Sequence, residues 1–162
     1  MPASRSRSFS GIYENLAQIA DFVRESAVSA GLEGFALYAV ETAVDEACSN
    51  IIEHTYGGEN LGDILCTCLV TDDGLTVILR DSGQPFNPEG ISGLGANGHI
   101  DDHPGHGLGL FLIKKMMDRV IFETPPEGGN ILTMVKRRQI RAGPASPDNQ
   151  MSERKAAPPD SQ

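Results

Sequence analysis

Two hairpin patterns bracket the second half of this chain and restrict what it can fold into. Ile64 to Val70 and Leu75 to Arg80 are rich in β-branched and aliphatic residues and meet at the turn Thr71-Asp72-Asp73-Gly74. Such runs around a short polar turn predict two antiparallel strands. Val120 to Glu123 and Ile131 to Lys136 repeat the arrangement around Pro125-Pro126-Glu127-Gly128-Gly129. Between the hairpins lie a glycine–proline loop from Pro85 to Pro104 and a helical pattern from Gly107 to Asp118, with apolar Leu108, Phe111, Leu112 and Met116. Ahead of them, Leu16, Ile19, Ala20, Val23 and Ala27 recur at helical spacing, with Gly31 as the stop. A longer helical pattern runs from Phe35 to His54. The order helices, hairpin, loop, helix, hairpin predicts an α/β protein of the α+β, two-layer sandwich kind. Its sheet is mixed, largely antiparallel, and covered on one face by helices.

Length and composition agree with one domain. The 162 residues are enough for a real core, so residues 9–138 read as a single domain. Residues 1–8 read as a frayed, flexible polar N-terminus. Residues 139–162 are proline-rich and hold almost no large apolar side chains, which predicts a disordered tail. A net charge of −9 argues against direct nucleic-acid binding, because phosphate backbones demand clustered cations. No apolar run approaches a membrane span, and the N-terminus has no signal-peptide pattern. The spacing of Cys48, Cys66 and Cys68 fits neither a zinc framework nor a secreted disulfide scaffold. The expectation is a cytoplasmic protein with reduced, partly buried thiols and no membrane partner.

Three short boxes carry the chemistry. In the first, Glu46-Ala47-Cys48-Ser49-Asn50, the residues Thr42, Glu46, Asn50 and His54 are spaced by four and form one helical stripe. The neighbouring stripe of Val40, Val44, Ala47 and Ile51 would face the sheet, which places Glu46 and Asn50 at the edge of the core. An Asn oxygen suits a hard cation such as Mg²⁺, and a Glu one turn earlier could take a proton from a hydroxyl or a water. A solvated polar helix face would show the same spacing.

In the second box, Asp81-Ser82-Gly83-Gln84-Pro85-Phe86, an aspartate emerges where an apolar strand ends. Its carboxylate can accept a hydrogen bond from an exocyclic amine such as adenine's, and Gly83 would let a flat base approach the backbone. Pro85 then fixes the exit direction. Turn chemistry alone also explains Asp-Ser-Gly. In the third box, Gly105-His106-Gly107-Leu108-Gly109-Leu110, alternating glycines open a helix. Bare backbone and an unsatisfied helix start together form an anion site, although a hinge has the same composition. The spacing is neither a Rossmann fingerprint nor a Walker loop.

In order and spacing, the three boxes resemble the GHKL nucleotide-binding superfamily, which includes gyrase, histidine kinases and MutL. The stretches Glu46 to Tyr56, Asp81 to Phe86 and Gly105 to Ile113 with Met117-Asp118 look most like the small anti-sigma-factor serine/threonine kinases of bacterial partner-switching systems. The resemblance covers residues 9–138 and implies the Bergerat ATP-binding fold. It also implies roles: Glu46 as catalytic base, Asn50 as Mg²⁺ ligand, Asp81 on the adenine amine, Gly83 against the base, with Pro85 and Phe86 following. Residues 87–104 would be an ATP lid. Gly105, His106, Gly107, Leu108 and Gly109 would hold the phosphates, and Thr133 would support the adenine side.

The substrate so implied is a STAS-domain anti-anti-sigma factor, the competing partner a sigma factor, and the assembly a homodimer. An arginine that some members use in the first helix to engage partners falls near Ala20 and Asp21 here, with Arg24 the nearest. Three other readings remain beside this one. A histidine-kinase ATPase domain shares the boxes, and a nucleotide-sensing module that sequesters a partner would not need Glu46. A metal cluster of His99, Asp101, Asp102, His103 and His106 lacks a helix to hold it.

Overall fold

A computed structural model of the protein describes residues 2–86 and 106–139. Helix α1 (Leu16–Ser29) follows a 3₁₀ turn at Tyr13–Asn15, and α2 (Gly34–Asn50) runs on into a π-helical turn at Ile51–Thr55. Five strands complete the domain with helix α3 (His106–Met116): β1 (Ala3–Ser10), β2 (Asp63–Thr71), β3 (Gly74–Asp81), β4 (Arg119–Glu123) and β5 (Asn130–Arg137). They form one sheet in the order β1-β2-β3-β5-β4, and every pairing is antiparallel. The α+β sandwich expected from the element order is therefore the fold found. The mixed component of the sheet is absent among the described strands.

Alternation along the strands decides where the core sits. Ile64, Cys66 and Cys68 on β2, Leu75, Val77 and Leu79 on β3, and Leu132 and Met134 on β5 are buried on one face. Against them pack Ile19, Val23 and Ala27 of α1 and Val40, Val44, Ala47 and Cys48 of α2. The stripe of α2 expected to face the sheet does so. The opposite sheet face, with Leu65, Thr67, Ile78 and Thr133, is at most half-buried. Gly31 ends α1 as expected. With φ of +80° it lets Gly31 N–H donate to Val28 O and Leu32 N–H to Ala27 O, both at 3.0 Å.

The N-terminus departs from the sequence reading. Residues 1–8 were expected to fray, yet Ala3–Ser10 pairs along its whole length with β2, from Ala3 opposite Val70 to Ser10 opposite Asp63. Only Phe9 of this strand is buried, so no hydrophobic alternation betrays it. Backbone pairing supplies the strand, and long cations substitute for a core. Arg5 lies over the Phe22 ring at 4.7 Å and pairs with Glu25 at 3.0 Å, while Arg7 lies over Phe9 at 4.8 Å.

All three cysteines are buried and unbridged, more deeply than the partial burial expected. Burial, with a smaller contribution from Asp45, pushes the Cys48 thiol up to about 12. Among the described residues, no helix is long and apolar enough to cross a membrane. The lid stretch 87–104, Gly105 and the tail from residue 140 lie outside the described residues.

Candidate functional site

The cleft lies between α2, the start of α3 and the ends of β3, β4 and β5. Ala47, Leu110, Ile113, Phe122 and Leu132 line an apolar interior, with Asn50, Asp81 and Asn130 among its polar groups. Counted out to its open mouth, with open solvent included, it encloses about 590 Å³. Phe86 and Phe122 close one side, their rings 5.2 Å apart.

Asp81, at the end of β3, is held from three elements. Gly83 N–H and Asn130 Nδ2 each donate to Asp81 Oδ1 at 2.9 Å. Across the ladder Asp81 pairs with Asn130 itself. Gly129, with φ of +76°, brings its α-carbon so close to the Asp81 carbonyl that any side chain would strike it. The Asn130 backbone N–H also favours the ionised carboxylate. Burial raises the Asp81 carboxyl above the usual carboxylate range, against the hydrogen bonds from Asn130 and Gly83, which pull it down.

Asn130 is the cleft residue that sequence reasoning missed. Besides Asp81, its Nδ2 donates to Gln84 O at 2.8 Å, and its Oδ1 accepts from Phe86 N–H at 2.7 Å. One buried amide therefore fastens the whole second box. The expected support from Thr133 is not met. Thr133 alternates with the buried Leu132 and Met134 and pairs with Ile78 and Ile121 on the opposite sheet face, away from the cleft. A polar residue directly across the ladder from Asp81 was the signal that could have found Asn130.

The end of the first box holds the second from the other side. The π-helical turn, a feature that often marks functional sites, brings Thr55 to the Gly83 backbone. A Cβ on Gly83 would meet Thr55 Cγ2 at 2.5 Å and Thr55 O at 2.9 Å. The glycine is thus required by Thr55, within the protein. Tyr56 Oη accepts from Ser82 N–H at 2.9 Å and donates to Asp63 O at 2.6 Å. Gly83 and Pro85 border a shallow depression beside the cleft instead of lining its interior.

The third box meets the first at Gly109. A side chain there would press on Asn50 Nδ2 at 3.0 Å, Glu46 Oε2 at 3.1 Å and Asn50 Oδ1 at 3.3 Å. The bare glycine leaves a cradle beside a carboxylate and a carboxamide, a donor set that fits a hard cation completed by water and phosphate oxygens. Asn50 lines the cleft, and Glu46 stands one turn back along α2, beside Gly109. His106, Gly107 and Leu108 form the first turn of α3. Of the histidine–aspartate cluster considered as a metal site, only His106 falls within the described residues.

The chain matches the family described as the histidine kinase-like ATPase domain over residues 9–136, and it belongs to that family. Its curated relatives include the protein named serine-protein kinase RsbW in Halalkalibacterium halodurans, 33% identical over 101 residues that cover 60% of each chain. The protein of that name in Bacillus velezensis is 33% identical over 85 residues, 50% of this chain and 53% of the relative. In Staphylococcus epidermidis the match is 31% over 105 residues, 61% of this chain and 66% of the relative. The matched stretches thus span between half and two thirds of the length of these relatives.

Proposed function

We propose that this protein binds ATP with Mg²⁺ and transfers the γ-phosphoryl group to a serine or threonine hydroxyl of another protein. The observation that carries the reading is the junction at Gly109. It sets Glu46 beside Asn50, which lines a cleft that also holds Asp81. Asp81 Oδ2 would accept from the adenine amine, with Phe86 and Phe122 beside the base. Asn50 would hold Mg²⁺, which when bound neutralises charge on the phosphates. The backbone N–H groups at the start of α3 would receive phosphate oxygens.

In the transfer itself, the acceptor oxygen forms a bond to the γ-phosphorus as the bond from phosphorus to the bridging oxygen breaks. ADP leaves with that electron pair, and Glu46 takes the hydroxyl proton and releases it to solvent. The similarity to proteins named serine-protein kinases supports this acceptor class. The substrate we propose is a STAS-domain anti-anti-sigma factor, with a sigma factor as the competing partner.

The test incubates the protein with γ-labelled ATP and STAS-domain proteins of the same genome. Labelled STAS protein is expected, and E46A should abolish the label while sparing ATP binding. ATP binding without label on any of them would replace the kinase by a nucleotide-sensing module. Full transfer by E46A would remove Glu46 as the base.

A further inference from the structure

Large aromatic side chains standing free in water call for a partner, and this protein has two of them on one turn of α2. Phe35 and Tyr38 are 65% and 57% exposed, with ring centroids 6.2 Å apart. Val28 of α1, 56% exposed, extends the patch. Arg24 pairs with Glu41 at 3.0 Å and aligns α1 and α2 antiparallel. One turn further on, Val28 therefore stands beside the turn that carries Tyr38.

The patch shares its stripe with Glu46. Phe35, Tyr38, Thr42 and Glu46 follow one another at spacings of three and four on α2. At helical rise, Tyr38 lies about 12 Å and Phe35 about 16 Å along the axis from Glu46. A standard protein interface buries about 800 Å² per partner and spans roughly 30 Å, so one footprint covers both the patch and the base. Exposed apolar area with aromatic anchors is the usual core of such a footprint.

Charge selects the occupant. From Gly34 to Asn50 the helix carries Glu41, Asp45 and Glu46 and no lysine or arginine. Glu41 is paired with Arg24, whereas exposed Asp45 makes no ion pair among the described residues. An anionic membrane surface, or a second copy of a chain with net charge −9, would be repelled here. We propose that Phe35, Tyr38 and Val28 form the docking surface for the hydroxyl-bearing protein substrate. That substrate is a folded protein presenting an apolar patch with a basic rim. The inference rests on the kinase reading of the cleft.

The experiment measures binding of a STAS-domain protein to the full chain with a non-hydrolysable ATP analogue, by titration calorimetry. The F35S/Y38S variant should weaken that binding at least tenfold and leave the analogue's Kd and the thermal midpoint unchanged. L61S, which removes an equally exposed side chain beyond the far end of α2, should bind as wild type does. With labelled ATP, F35S/Y38S should raise KM for the protein at an unchanged kcat. Wild-type binding by F35S/Y38S, an equal loss in L61S, or no binding by the wild-type chain overturns the docking surface. Binding lost in F35S/Y38S, without transfer in the wild type, removes the kinase chemistry and leaves the surface standing.

Discussion

Asn130 Nδ2 donates to Asp81 Oδ1 at 2.9 Å across the paired strands β3 and β5. The same amide holds Gln84 O and Phe86 N–H. The carboxylate that would read a base is thus positioned by a residue 49 places further along the chain. Asp81 lines the cleft while Gly83 N–H and the Asn130 amide hold its Oδ1.

Asp81→Asn should separate ligand binding from folding. The hydrogen bonds to Oδ1 survive in the amide, but the charged acceptor for an exocyclic amine does not. ATP affinity should fall by about 10–100-fold, the worth of a hydrogen bond to a charged group. Calorimetric titration with ATP reads the affinity, and circular dichroism shows whether the fold is kept. Unchanged affinity would remove Asp81 from the binding site.

The raised Asp81 carboxyl gives opposite pH dependences for stability and for binding. In the folded protein its pKa lies above the ordinary 3.8. Its contribution to stability is therefore fully present below 3.8 and lost as pH rises through the folded value. At neutral pH, Asp81→Asn should be at least as stable as wild type, and any gap should close on acidification. Binding runs the other way, because the acceptor must be ionised: wild-type ATP affinity should drop as pH falls through that same value. Urea melts and ATP titrations from pH 4 to 8 test both signs.

Asn130→Leu and Thr133→Val form a contrasting pair. The leucine leaves Asp81, Gln84 O and Phe86 N–H without their shared partner, which should cost about 2 kcal/mol or more and weaken ATP binding. The valine sits on the other sheet face and should change stability by under about 0.5 kcal/mol and leave ATP affinity alone. Equal effects of the two in urea denaturation would contradict the face assignment.

Gly109→Ala adds one methyl group against Glu46 and Asn50. Helix propensity favours alanine by about 1 kcal/mol, so the fold should persist. The crowding falls on Glu46 and Asn50 themselves, so phosphoryl transfer should fall at least tenfold at saturating ATP. Single-turnover assays with labelled ATP would show it, and wild-type transfer rates would dissociate Gly109 from the site.

Much of this fold can be read locally. Hydrophobic period marked both hairpins and all three helices, and spacing by four put Glu46 and Asn50 on one stripe. Strand β1 escaped because only Phe9 of its side chains is buried, which leaves no periodic trace. Thr133 was misplaced because strand parity is unforgiving: one residue of shift exchanges the sheet faces, and register comes from tertiary pairing. The π-helical turn was hidden for a similar reason. Nothing in Ile51 to Thr55 demands an extra residue per turn until Thr55 must meet Gly83.

The three boxes, their order and the amphipathic stripes were settled by the sequence alone, since they depend on residue type and near-neighbour spacing. Which face each strand residue takes, which side chain fastens Asp81, and which bare glycine meets Glu46 and Asn50 were decided only by the tertiary structure. Those relationships join residues dozens of positions apart, and no local propensity encodes the register that brings them together.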